Sequence, residues 1–258
     1  MLTKGIIRRI RSLEYKKHRD ALNCFVAEGP KLAEAMLDSG LRCLGIYALA
    51  GWIADQPSYR LNKSDEIVEI TQEELSRISG LKTPNQVLLI MQKPDPLPTP
   101  EPTEGELILA LEDIQDPGNL GTILRLASWF GIRQVICSPD SADVFSPKTI
   151  QSTMGAILSV QVHKTDLYPY LLNIHEKEPR IPIYGASLDG EDLYLNPPLP
   201  FGILIMGNES RGISRKIQRF IDHKLLIPCY SEQNKGLESL NVSIATAIIC
   251  AEFKRLAR

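Results

Sequence analysis

No stretch of this 258-residue chain approaches the roughly 20 consecutive apolar residues that a membrane-spanning helix needs. The N-terminus carries Lys4, Arg8, Arg9 and Arg11 with no apolar run behind them, so no secretory leader is expected and the protein is expected to be cytoplasmic. Cysteine is sparse and unpaired in pattern. Cys24, Cys43, Cys137, Cys229 and Cys250 are odd in number and never stand in Cys-x-x-Cys spacing. That excludes a disulfide framework and a zinc site of the usual kind, and leaves reduced, mostly buried thiols. The four histidines, His18, His163, His175 and His223, have no ligand spacing, so no metal is expected. No Gly-x-Gly-x-x-Gly follows an early strand, which argues against a dinucleotide-dependent oxidoreductase. A net charge of -2 speaks against wholesale coating by nucleic acid.

What is present is the profile of a globular protein long enough for two domains, with 43% apolar and 23% charged residues. Charge is distributed unevenly. Residues 1–19 hold Arg8, Arg9, Arg11, Lys16, Lys17 and Arg19 besides Lys4, against Glu14 alone, a local net charge of +6. This stretch reads as one basic amphipathic helix, with Ile6, Ile7, Ile10 and Leu13 on its apolar side. Strands follow at 24–27, 42–49, 66–70 and 86–91, separated by helical patterns that include a capping box at Thr71-Gln-Glu-Glu74. Such alternation describes a compact α/β layer domain over residues 1–92. Residues 93–104 then place proline at every second position through Pro102. That run disfavours helix and sheet ladder alike and reads as a semi-rigid spacer.

The second domain, 105–258, repeats the alternation. The strand Leu107–Leu111 runs into a turn at Asp116-Pro117-Gly118 and a helix starting near Asn119, which reads as its N-cap. Leu120, Ile123, Leu124, Ala127 and Phe130 form its apolar face, with Gly121, Arg125 and Ser128 on another. Further strands are expected at 134–137, 157–162, 181–186, 201–206 and 225–228, with a helix at 167–175 between them. The closing helix, from about Asn241 to Arg258, has so little polar face near Ile244 to Ala251 that it is expected to be covered on more than one side. Two more stretches could build a site. At the strand end, Gly207-Asn208-Glu209-Ser210-Arg211-Gly212 opens the main chain to a ligand and adds a carboxylate. Ile227-Pro228 and Glu238-Ser-Leu-Asn-Val-Ser243 place small polar groups before the last helix, where an ordinary N-cap at Ser239 or Asn241 would look the same.

Taken together, Asn119-Leu-Gly121 with Arg125, Met206-Gly-Asn-Glu-Ser-Arg-Gly-Ile-Ser214 and Ser239-Leu-Asn-Val-Ser243 resemble the three motifs of the SpoU or TrmH family of RNA 2'-O-ribose methyltransferases, in the SPOUT superfamily. Ser146-Pro-Lys148 with Ser152, Met154 and Gly155 is similar to the family's connecting segment. Ile10-Arg-Ser-Leu13, Lys16-Lys17, Arg19, Phe25 to Gly29 and Thr83-Pro84 are similar to its accessory substrate-binding domain. The resemblance implies an α/β protein: a C-terminal SPOUT-type trefoil-knotted parallel-sheet domain with a smaller N-terminal L30e-like α/β domain. It also implies a homodimer and S-adenosyl-L-methionine as cofactor. Residue by residue it implies that Gly207, Ile227, Ser239, Leu240 and Asn241 bind the cofactor, that Glu209 organises the pocket, and that Arg125 with Asn119 acts at the ribose.

The chemistry agrees with those roles. Methyl transfer to a 2'-hydroxyl is an in-line displacement in which the donor's positive charge disappears, so alignment carries much of it. Guanidinium groups normally keep their proton at neutral pH, so Arg125 would orient a phosphate or polarise the 2'-oxygen, and three proton acceptors stay open: that phosphate, water or a transiently neutral Arg125. Arg8, Arg9, Arg11, Lys16, Lys17 and Arg19 would supply RNA phosphate contacts. Ribosomal RNA is the favoured substrate because an accessory domain fits a large structured target. Transfer RNA, or a noncatalytic RNA-binding assembly factor that keeps the fold, are the alternatives. The 229–238 loop is a few residues longer than is usual in the family.

Overall fold

The computed structural model describes residues 2–231 and 239–257. In chain order the elements are α1 (Lys4–Ser12), α2 (Lys16–Ala21), β1 (Cys24–Glu28), α3 (Pro30–Asp38), β2 (Cys43–Ala48), α4 (Ala50–Asp55), α5 (Ser58–Leu61), β3 (Ile67–Glu69), α6 (Gln72–Ile78) and β4 (Val87–Gln92). They continue with β5 (Leu107–Leu111), α7 (Pro117–Trp129), β6 (Gln134–Cys137), α8 (Pro147–Thr153), a 3-10 turn at Ala156–Leu158, β7 (Gln161–Lys164), α9 (Leu167–Lys177), β8 (Ile183–Asp192), β9 (Gly202–Met206), α10 (Arg215–Gln218), β10 (His223–Leu226) and α11 (Val242–Leu256). The chain forms two compact units, Met1–Asp95 with Asp143–Leu158, and Pro96–Ala142 with Ser159–Arg258. None of the described helices is long and apolar enough to cross a membrane.

The first unit is built on a four-stranded sheet in the order β1-β4-β2-β3, antiparallel except between β2 and β3. Period-two alternation divides its side chains between two cores. Phe25 and Ala27 with Val87, Leu89 and Met91 face α3 and Ile150 of α8, whereas Cys24 and Val26 with Leu88 and Ile90 face Ile10 of α1 and Leu75 of α6. Segment 143–158, read from the sequence as part of the second domain, therefore packs within the first unit. Ile150 is buried in that core and Phe145 lies 5.2 Å from the Phe25 ring.

The basic stretch is two helices, not one. Leu13 ends α1, and Tyr15, with φ -96° and ψ 130°, is extended before α2 begins. Arg19 explains the break. Its guanidinium is turned inward, with Nη1 donating to the carbonyls of Leu13 and Glu14 at 2.6 Å each. Nε and Nη2 donate to Asp143 Oδ2 at 3.1 and 2.5 Å. Thr71 and Glu74 form the expected capping box at the start of α6.

The second unit holds a six-stranded sheet in the order β10-β8-β9-β5-β6-β7, parallel throughout. Strands buried on both faces read as continuous apolar runs, which is the pattern of β5 and β9. Ile108, Ala110, Ile203 and Ile205 pack against Leu167, Leu171 and Ile174 of α9. The expected strand at 157–162 is shorter, because the chain makes the 3-10 turn before it enters β7. From 93 to 103 the chain has no helix or strand, and the boundary between the units falls in this run.

Candidate active site

All six strands of the second sheet run the same way, so the segments after β5, β9 and β10 leave from one edge. Ligands bind at that edge in open parallel α/β sheets. β5 and β9 are neighbours with Leu111 paired to Met206, which sets Glu112-Asp113 beside Gly207-Asn208.

After β9 the chain folds back on itself. Asn208 N–H donates to Gly212 O at 3.1 Å, and Gly212 N–H donates to Asn208 O at 2.9 Å. The closure is so tight that a Cβ on Gly207 would lie 2.4 Å from both the Gly212 carbonyl carbon and the Ile213 nitrogen. Only glycine fits there. Asn208 Oδ1 accepts from the N–H groups of Ser210 and Arg211 at 3.0 and 3.1 Å, which leaves Glu209 exposed on the loop.

Asn119 is not the N-cap of its helix. Asp116 takes that place, its Oδ1 accepting from Asn119 N–H at 2.8 Å, and Pro117 occupies the first turn. A cap of this kind is worth about 1 kcal/mol, and it frees the Asn119 side chain for another use. The orientation of that side chain follows from its partners. A carboxylate only accepts, so Asn119 Nδ2 donates to Glu209 Oε1 at 3.0 Å. Its Oδ1 then accepts from Asn241 Nδ2, also at 3.0 Å. Asn241 Oδ1 in turn caps α11, accepting from the N–H and Oγ–H of Ser243 at 2.9 and 2.6 Å. Asn241 is thus both an N-cap and a link in the site. One amide side chain ties the three motif segments together.

Beside this knot of hydrogen bonds lies a cavity of about 910 Å³. Gly207, Glu209, Ile227, Ser239 and Leu240, singled out in the sequence, line it. Val242, Ala245 and Ile249 supply an apolar wall from α11. Asn119, Asn241 and Arg125 do not line it: the first two act on it through Glu209 and Leu240, and Arg125 is exposed on α7. Gly121, placed by the sequence on the same face as Arg125, is buried. Missed by the sequence reading are Ala186 to Asp189 of β8 and Lys224 of β10. Lys224 Nζ donates to Asp189 Oδ2 at 2.7 Å, and that contact, helped by Ser187, holds the Asp189 carboxyl below its ordinary range. Their only trace in the sequence is polar residues where a buried strand should be apolar. Residues 232–238, including Glu238 and most of the long loop, lie outside the described residues.

The residues fit a bent nucleoside carrying a cationic sulfur. The volume is within the range of small-molecule sites. Apolar side chains from α11 and β10 can enclose a flat base, main chain is laid bare at Gly207, and Glu209 offers negative charge. Among the described residues no group of three His, Cys, Asp or Glu could hold a metal. Cys24, Cys43, Cys137 and Cys250 are buried, and burial pushes the Cys137 and Cys250 thiols up to about 12. Cys229 is exposed.

The cations read as RNA contacts belong to the first unit and line no part of this cavity. Arg8, Arg9, Arg11, Lys16 and Lys17 are exposed. Arg19 is a correction: at 2% exposure, with its donors spent on Leu13, Glu14 and Asp143, it cannot reach a phosphate. Lys16 is paired with Asp20.

Comparison with known proteins turns this geometry into a class. A family model described as the SpoU rRNA Methylase family matches residues 106–251, and an MRM3-like substrate binding domain model matches residues 4–89. Fold and site together define an RNA ribose 2'-O-methyltransferase that uses S-adenosyl-L-methionine. The chain belongs to the SpoU rRNA methylase family. It is 28% identical to the 23S rRNA (guanosine(2553)-2'-O)-methyltransferase RlmP of Bacillus subtilis, over 93% of this chain and 92% of that protein. A structure from Porphyromonas gingivalis that is assigned to the TrmH family is similar at 40% identity and a TM-score of 0.84, covering 99% of each chain. The AdoMet-bound rRNA methyltransferase of Sinorhizobium meliloti is similar at 29% identity and a TM-score of 0.83, over 99% of this chain and 96% of that one.

Proposed function

We propose that the substrate is ribosomal RNA, and that the chain transfers a methyl group to one of its ribose 2'-hydroxyls. The choice of ribosomal RNA is supported by the likeness to rRNA methyltransferases, and the transfer by the Asn119 amide, which joins Glu209 and Asn241 beside the cavity and so makes one site of three distant segments. When bound, S-adenosyl-L-methionine supplies an activated methyl group on a cationic sulfur. Gly207, Ile227, Ser239 and Leu240 hold it, largely through main chain, and Glu209 fixes the loop against Asn119. Arg125, exposed on α7, binds the RNA backbone and orients the 2'-oxygen for in-line attack. The carbon–oxygen bond forms as the carbon–sulfur bond breaks, and the hydroxyl proton leaves to a phosphate or to water.

The first unit contributes affinity rather than chemistry. Arg8, Arg9, Arg11 and Lys17 neutralise phosphates, a term that weakens steeply with salt. The same reading includes a trefoil knot in the second unit and a pair of chains. Support for the pair comes from α11, whose outer stripe is left uncovered: Ile244 is 51% exposed and Ala251 is exposed, while Trp129 on α7 is 84% exposed. Large apolar groups left open in this way mark association surfaces.

The test is incubation of the purified chain, its solution mass expected at twice that of one chain, with methyl-labelled cofactor and either bulk rRNA or bulk tRNA. Label is expected in rRNA as a 2'-O-methyl group. Arg125→Ala is expected to lower turnover about a thousandfold while cofactor affinity survives. Label in tRNA alone, or near-normal turnover by that variant, would overturn the substrate or the role of Arg125 respectively.

A further inference from the structure

A residue outside all three motif segments holds the loop that follows β9. Asp113 stands between β5 and the cap of α7 with φ at 57°, a left-handed conformation that glycine or asparagine takes with less strain. Its main chain is fixed there. The Asp113 N–H donates to Ser138 Oγ at 2.9 Å, and the next N–H, of Ile114, donates to Ser141 Oγ at 3.3 Å. Pinned in this way, Asp113 presents both its carbonyl and its carboxylate to the loop. Asn208 Nδ2 donates to the carbonyl at 2.9 Å and lies 3.4 Å from Oδ2, and Arg211 Nη2 pairs with the same oxygen.

These contacts grip both ends of the turn that carries Glu209. Asn208 shapes the turn from inside, through Ser210 and Arg211, and closes it on Gly212. Asp113 itself does not line the 910 Å³ cavity. It is reached from a separate polar cavity of about 740 Å³ on which Asn208, Arg211 and Gly212 also border, so the loop is a wall shared by the two. Whatever Asp113 does to the cofactor it does through that wall.

The geometry points to Asp113 as a positioning residue for cofactor binding, clamping Asn208 and Arg211 so that the 207–212 loop keeps Glu209 in line with Asn119. This rests on the reading of the larger cavity as the S-adenosyl-L-methionine pocket. The strained backbone is offset by what a carboxylate does at that point, which glycine could not do.

The experiment is titration calorimetry of S-adenosyl-L-methionine into the full chain and its variants, each with a melting temperature. Asp113→Gly is expected to weaken cofactor binding about tenfold, with the melting temperature held or raised, because glycine takes the left-handed backbone freely. Asp113→Asn keeps an acceptor and tolerates the backbone, and is expected to stay within about threefold of the parent. Arg211→Met is expected to weaken binding, and combining it with Asp113→Gly to add little, since one clamp is broken twice. At saturating cofactor, turnover of Asp113→Gly should lie within about twofold of the parent, placing the effect on binding. Unchanged affinity in Asp113→Gly, full additivity in the double variant, or an affinity loss that merely follows a fall in melting temperature would overturn the clamp. If the parent chain binds no cofactor, the pocket assignment falls and the clamp with it. Binding by the parent with an indifferent Asp113→Gly removes the clamp alone.

Discussion

The two units each build a core on a sheet but differ in where their strands end. In the first, β1, β2 and β3 run one way and β4, paired antiparallel between β1 and β2, runs the other, so the segments that follow these strands leave from two edges. In the second, six parallel strands deliver every following segment to one edge, and Asn119, Glu209 and Asn241 meet there within hydrogen-bonding distance. Convergent chemistry therefore belongs to the parallel sheet. The mixed sheet instead carries a surface of exposed cations on α1 and α2, and its polar interior, Arg19 above all, serves the fold.

The sharpest way to break this division is Gly207→Ala. The added carbon would meet main chain at 2.4 Å on two atoms, and neither Gly212 nor Ile213 can yield as a flexible side chain would. Overpacking of this kind costs about 1–3 kcal/mol, concentrated on the loop that walls the cavity. Cofactor affinity, measured by calorimetry, should fall by about tenfold to a hundredfold, while RNA affinity measured without cofactor stays at the parent level. An equal loss of both would mean that the units do not divide the labour.

A smaller and reciprocal contrast lies within the first unit. Arg19→Met removes a buried guanidinium and strands the Asp143 carboxylate, whose side chain is only 17% exposed. Breaking such a pair costs about 3 kcal/mol, which a denaturant midpoint would show. Arg11→Ala should cost well under 1 kcal/mol in stability but should lower the salt slope of RNA binding by about 1. If Arg19→Met alters the salt slope as Arg11→Ala does, Arg19 is a phosphate contact after all.

These contrasts also show what a one-dimensional reading can reach. The strands β5 and β9, the glycines at 207 and 212, and the capping box at Thr71 were legible because each is a local pattern with a local cause. Arg19 was not, because nothing in Lys16-Lys17-His18-Arg19 says that one cation of the run turns inward to an aspartate 124 residues away. Asn119 was placed on the right helix but mistaken for its cap. Asp116 competes for the same job, and only the fold shows that the asparagine has a second partner at Glu209 and a third at Asn241. Segment 143–158 was misplaced because chain order ties it to β6 and β7, whereas Phe145 and Ile150 find their core beside β1 and β4. The cavity walls from β8 were invisible since a polar strand end looks like any loop.

The smallest expected effect concerns Asp20, which joins α2 to the strand-end residue Lys93. Hydrogen bonds first from Lys16 and then from Lys93 lower its carboxyl from 3.8 to about 2. The group is therefore ionised in the folded chain at pH values where the unfolded chain has already taken up its proton. Its contribution to stability is complete above about pH 4 and is lost as the pH falls toward 2. With the side chain 45% exposed, water screens the pairs and the contribution is a few tenths of a kcal/mol. Asp20→Asn should therefore melt slightly below the parent at neutral pH, and the gap should narrow steadily once the pH drops under about 4. Cofactor affinity should not move, because the lysine clamp belongs to the unit without the cavity. A gap independent of pH would show that the amide disturbs packing and that the carboxylate's charge is not what holds Lys93 in place.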